Sequence, residues 1–160
     1  MSVSGFRSGF RYAYPAGVAV FALALVLGVE IWGGSVRDFL WLEWALMFVL
    51  PLFAVLLATR NLRLFWAGLS AVADSGLPCS EELRGQAASL FRFLSRVTGL
   101  LCGLWALVAL IVMLMNISPG QPPTWGAPLY GAMISALYGL FLIAGVFEPA
   151  VFILKKRRGW

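Results

Sequence analysis

The sequence predicts an all-α integral membrane protein, with four transmembrane helices and a short cytoplasmic helical hairpin extending spans two and three. Three observations carry this reading. Hydrophobic residues make up 61% of the 160-residue chain and charged residues only 12%, with a mean hydropathy of +0.89. A soluble domain is about half apolar and about a quarter charged. Four stretches approach the ~20 apolar residues that cross a hydrocarbon core of about 30 Å. Eleven of the twelve Lys and Arg residues then fall on one side of those stretches. The chain reads as a single membrane domain, 1–160. A free cytosolic enzyme, a secreted disulfide scaffold and a nucleic-acid-binding protein are excluded.

The first span, 15–32, follows Arg7 and Arg11 and holds Glu30 as its only charge. Its exit between Gly28 and Gly34 lacks a small-x-small cleavage pattern, so it reads as an uncleaved anchor. The second span, 39–58, carries Glu43 near its start and Pro51 inside, and the third, 97–117, has no charge at all. The fourth, 127–154, is long enough to tilt or project and contains Glu148-Pro149. Between spans two and three, residues 59–96 predict a helical hairpin. Leu62, Phe65, Leu69 and Val72 continue a helical period after Ala58, and Ser75-Gly76 with Pro78 breaks it. Ser80 can cap the next helix, with Glu81 and Glu82 where the dipole favours anions. Leu83, Ala87, Leu90, Leu94 and Val97 then run on into span three. The competing reading is an amphipathic linker lying on the lipid surface, with Trp66 at the headgroups.

Orientation follows from the cations. Arg7 and Arg11, five arginines of the central segment, and Lys155, Lys156, Arg157 and Arg158 share one side, against Arg37 on the other. Basic residues gather in the cytoplasm, which predicts a multi-pass protein with both termini cytoplasmic. Trp32, Trp41, Trp44 and Trp125 then fall at the outer interface.

Spans in lipid pack through small residues that let backbones approach. Span four has Ala127, Gly131, Ser135 and Gly139 at four-residue steps, flanked by Ala132 and Ala136. Span three has Gly99 and Gly103 with Cys102 between them, continued by Ala106 and Ala109. These faces predict a close helix interface, within the subunit or around an oligomer axis. Thr98 and Ser135 have two readings: back-bonding to a helix carbonyl, or a weakly polar pore wall. Glu30 and Glu43 read as solvated interface acids. Glu148 lies deeper, and an acid in a span is expensive to bury. Pro149 beside it has no N–H, so the Gly145 carbonyl loses its usual partner. Glu148 and Pro149 are therefore candidates for gating or proton exit. The alternative pairs Glu148 with Arg60, Arg96 or Lys155. The chain has no histidine, and Cys79 and Cys102 show no paired spacing. No metal site, cofactor or enzymatic activity is expected.

The stretches Val97-Thr-Gly-Leu-Leu-Cys-Gly-Leu-Trp-Ala-Leu through Met113-Leu-Met-Asn-Ile, and Leu129-Tyr-Gly-Ala-Met-Ile-Ser-Ala-Leu-Tyr-Gly-Leu-Phe-Leu to Phe147-Glu-Pro, resemble the last two spans of the MotA/TolQ/ExbB proton-channel family. Helix order and topology are similar as well. The resemblance implies a self-assembled ring, typically of five subunits, around a single-span membrane partner that supplies a proton-carrying Asp. It places Gly99, Cys102, Ser135 and Gly139 on the ring interior and implies a bacterial-type inner membrane; Thr98, Gly103 and Gly131, on the same two spans, are further pore-lining or packing candidates. Ala136 stands where the family usually has a pore-facing threonine, and the cytoplasmic segment is short. A minimal relative serving a machine other than the flagellum is expected: a proton-driven motor or channel subunit. The alternatives are a non-conducting structural or accessory four-helix subunit, and a small proton-coupled transporter using Glu148.

Overall fold

The computed structural model describes residues 13–31, 42–73, 80–115 and 126–156. Every element among them is helical: α1 (Ala13–Ile31), α2 (Leu42–Ala58), α3 (Leu62–Ala73), α4 (Glu81–Met115), α5 (Gly126–Leu140), a π-helical stretch (Phe141–Phe147) and α6 (Glu148–Lys156). Glu30 lies on α1 and Glu43 on α2. Arg37, Trp32, Trp41 and Trp125 lie outside the described residues, as do residues 74–79, Arg7 and Arg11 of the amino tail, and Arg157 and Arg158 of the carboxyl tail.

Two helical runs are long and apolar enough to cross a bilayer, Glu81–Met115 and Leu129–Lys156. A third is reached if Leu46–Ala58 and Leu62–Ala73 count as one bent span, and the apolar stretch Tyr14–Leu27 is shorter. The protein is thus an all-α bundle with two such runs, or up to three, among the described residues.

Span three behaves as its sequence dictates. The Leu83 N–H donates to Ser80 Oγ at 3.3 Å, and the Arg84 N–H donates to the Ser80 carbonyl at 3.1 Å, so Ser80 caps α4 as expected. From there α4 runs unbroken for 35 residues, about 52 Å at 1.5 Å per residue. That exceeds the hydrocarbon core by roughly 20 Å.

Span two does not run on in the same way. After Ala58 the chain turns by 115° before α3 begins. The Asn61 N–H donates to the Leu56 carbonyl and the Arg60 N–H to the Leu57 carbonyl, each at 3.0 Å, while Arg60 takes φ 54°. This is a Schellman cap with an arginine in the left-handed position that glycine usually fills. It satisfies the last carbonyls of α2 and redirects the backbone, so α3 lies across the bundle. Trp66 on its outer side is 61% exposed.

The core sits where α3, the first half of α4 and α6 meet. Val72, Ala87, Phe91, Leu94, Ala150 and Leu154 are buried there, and Phe91 joins Phe65 and Phe147 in a tilted aromatic row with centroids 5.7 and 6.3 Å apart. Gly68 lets α3 cross α4 closely: a Cβ there would lie 2.9 Å from the Ala87 Cβ and 3.0 Å from Phe91 Cε2. Gly68→Val is expected to lower stability by about 2 kcal/mol, as overpacked cores do, read as a lower thermal midpoint in detergent. Beyond Thr98 the packing changes character. Leu100 is 75% and Met115 79% exposed, with Leu104, Leu107, Ile111 and Leu114 exposed between them. Such a surface is costly in water and neutral against acyl chains.

Candidate functional site

The candidate site is the contact between α4 and α5, together with the broken helix that follows it. At 100° per residue, Thr98, Cys102, Trp105 and Ala109 share one side of α4. Gly99, Gly103, Ala106 and Leu110 share another, about 100° around. The first side is buried or half-buried and the second is exposed at all four positions.

The inner side closes on α5. A Cβ on Gly139 would collide with Cys102 Sγ, so the absence of a side chain there is what admits the sulfur. Cys102 Sγ also lies 3.8 Å from the Ser135 carbonyl oxygen, within reach of a weak S–H bond. Phe48 of α2 stacks on Tyr138 with centroids 6.4 Å apart and completes the seam. Thr98 is fully buried and Ser135 is 1% exposed. Their hydroxyls donate to their own helices, Thr98 Oγ1 to the Leu94 carbonyl at 2.9 Å and Ser135 Oγ to the Ala132 carbonyl at 2.8 Å. Back-bonding of this kind satisfies a hydroxyl without a partner helix. Gly131 on the same stripe of α5 is half-buried.

The outer side is open. A Cβ built on Gly99 or on Gly103 meets nothing within 4 Å. The structure therefore separates the seven small and hydroxyl positions. Cys102, Ser135 and Gly139 come together inside the subunit, Thr98 is buried on the same side of α4 as Cys102 and Gly131 is half-buried, and Gly99 and Gly103 face open space.

At the far end of span four, Pro149 changes the helix type. Pro149 cannot donate to the Gly145 carbonyl, and its ring crowds that carbonyl. The ladder widens to π geometry through Phe141–Phe147, and the Glu148 N–H donates to the Ile143 carbonyl five residues back. Two α1 residues hold this stretch. The Tyr14 hydroxyl donates to the Val146 carbonyl at 3.0 Å, and Phe21 stacks on Phe141 at 5.8 Å. Gly145 is needed here as well, since a Cβ would approach Phe21 Cδ1 to 2.9 Å. Wide turns of this type occur often at functional positions.

Glu148 is exposed and accepts a hydrogen bond from Ser95 Oγ at 3.2 Å. Among the described residues it forms no ion pair with Arg60, Arg96 or Lys155. Ser95 on α4, Tyr14 on α1 and the close-approach glycines 68 and 145 were not marked by the sequence. Ser95 and Glu148 are 53 residues apart, and no local period connects them. The Trp105 indole N–H is buried without an acceptor among the described residues, a cost of about 1–3 kcal/mol. Among those residues no three of His, Cys, Asp and Glu gather to hold a metal. No family model, curated protein or solved structure matches this chain.

Proposed function

We propose that this chain is a four-span subunit of a bacterial-type inner membrane, with both termini and residues 59–96 on the cytoplasmic side. It assembles with copies of itself, as a ring of about five in the family it resembles, around a single-span partner carrying a membrane Asp. The assembly couples ion flow, proposed to be of protons, to mechanical work or gating. The observation that carries the reading is the open side of α4 at Gly99 and Gly103. A glycine face with nothing against it allows another helix to approach backbone to backbone, which is how spans associate in lipid. The seam through Cys102 and Gly139 then joins spans three and four into one rigid wall behind that face. Glu148, exposed beside a widened helical turn, is the carboxylate available to a proton leaving on the cytoplasmic side.

A second reading, a non-conducting accessory subunit, is favoured by one feature. The Thr98 and Ser135 hydroxyls are both committed to their own helices and covered, so neither offers a polar wall within the subunit.

Reconstitution with co-purifying partners separates the two. In vesicles carrying a pH gradient, the motor-channel reading predicts proton flux that falls at least about tenfold in Glu148→Gln while the assembly mass is unchanged. A stable assembly with no flux supports the accessory subunit instead.

A further inference from the structure

Three exposed aromatic residues, Trp66, Phe93 and Phe152, lie on three different helices and at one height. Cys102 meets Gly139, Ser95 bonds to Glu148, and Ala88 shares a hollow with Leu154, so α5 and α6 descend antiparallel to α4. At 1.5 Å per residue, Phe93 sits about 3 Å and Phe152 about 6 Å on the cytoplasmic side of the Ser95–Glu148 bond. Phe91 lies about 6 Å below Ser95 on the same scale. α3 crosses at that height, because a Cβ on Gly68 would touch Ala87 and Phe91, and the Phe65 ring lies 5.7 Å from that of Phe91. Trp66 is the next ring outward, 5.8 Å from Phe65.

A single exposed aromatic residue is ordinary on any protein surface. These three stand around a core shared by α3, α4 and α6. Each helix turns its outward side in its own direction, so a partner docked on one side would leave the other rings bare. What surrounds them follows from their height. From Phe93 to Met115 α4 advances about 33 Å, close to the thickness of the hydrocarbon core. Its exposed residues from Leu100 to Met115 are all apolar. The aromatic level is therefore the first layer outside the hydrocarbon. Arg63, Arg92 and Arg96 are exposed near the same level, which excludes the acyl chains, where a guanidinium is expensive. A headgroup layer is about 5–8 Å thick and accommodates both kinds of side chain, with rings at its inner edge and arginines extended toward water.

We propose that Trp66, Phe93 and Phe152 form an aromatic girdle in the cytoplasmic headgroup layer, which seats the core of α3, α4 and α6 at the bilayer surface. The partner is the lipid interface of the membrane that α4 crosses. Glu148, at the height of Ser95, then stands at the hydrocarbon edge of that layer, and Pro149 to Leu154 complete the core outside the acyl chains. The inference rests on α4 as a span, and on neither the ring nor proton conduction.

The test uses the full chain in bilayers of phosphatidylcholine and phosphatidylglycerol. A Cys79→Ser, Cys102→Ala background carries one spin-labelled cysteine at a time, introduced by Trp66→Cys, Phe93→Cys or Phe152→Cys. Glu82→Cys and Leu104→Cys are the references, at exposed positions about 16 Å to the cytoplasmic and membrane sides of Phe93. Accessibility to oxygen, which concentrates among acyl chains, and to a water-soluble nickel chelate reports depth. All three labels are expected within about 5 Å of the phosphate level, between the two references. Labels as open to the chelate as Glu82→Cys would mean a core standing in water. Labels as deep as Leu104→Cys would mean a core among acyl chains, and labels closed to both reagents a face covered by protein. Each of these three results overturns the girdle. An unchanged thermal midpoint relative to the background shows that the labelled variants are folded. In the otherwise native chain, the emission lost in Trp66→Phe should be quenched by lipids brominated near the headgroups and spared by aqueous iodide. The reverse pattern also overturns the proposal.

Discussion

Gly139→Leu is expected to pry α4 from α5 and lower the stability of the detergent-solubilised protein by about 3 kcal/mol, the upper end for overpacking a filled site. The cause is specific. The glycine admits Cys102 Sγ into the space a Cβ would need, and Phe48 lies against the same point at 3.8 Å. Gly139→Ala makes the cause testable. Alone it forces Cys102 out of its rotamer and breaks the sulfur's approach to the Ser135 carbonyl, costing about 1–2 kcal/mol. With Cys102→Ala also present, the new methyl meets the Cβ of residue 102 at 3.6 Å, an ordinary contact. Most of the loss should then return, a coupling of about 1 kcal/mol or more in a double-mutant cycle. Additive losses in thermal or denaturant unfolding would show that the seam is held by something else.

Gly99→Leu combined with Gly103→Leu should behave in the opposite way. Open space surrounds both positions, so the unfolding midpoint of the subunit stays within about 0.5 kcal/mol of the original. Self-association should weaken at least about tenfold, equivalent to about 1.4 kcal/mol, and sedimentation in detergent should show the shift to smaller species. The two experiments interrogate neighbouring faces of one helix. A glycine that serves folding and a glycine that serves assembly are distinguished by which readout moves.

Much of this architecture follows from local rules. Leu62, Phe65, Leu69 and Val72, with Leu83, Ala87, Leu90, Leu94 and Val97, lie at three- and four-residue steps, and all are buried or half-buried. Ser80 has the chemistry of a cap and acts as one. Thr98 and Ser135 bond to their own helices, one of the two alternatives open to a hydroxyl in an apolar helix. Pro149 disturbs its helix because its missing N–H is a property of the residue itself.

Other features depend on contacts that no local rule contains. The 115° turn after Ala58 rests on Arg60 at positive φ, a conformation whose usual signal is glycine or asparagine. Nothing in the sequence marks that arginine as a helix terminator. The small face of span three reads as one stripe, yet Thr98 and Cys102 lie on a covered side of the helix while Gly99 and Gly103 lie on an open one. A four-residue period identifies which residues share a side of a helix and not what that side meets. For the same reason Ser95 emerges as the partner of Glu148 only once α4 and α6 are in contact.

The mass of the wild-type protein extracted from its own membrane into polymer-bounded discs bears most directly on self-assembly through the open side of α4. Native mass spectrometry of those discs is predicted to give a protein mass containing several copies of the 17.4 kDa chain, falling toward a single copy in the Gly99→Leu, Gly103→Leu variant. A lone 17.4 kDa chain from native membrane, with lipid against Gly99 and Gly103, would contradict it.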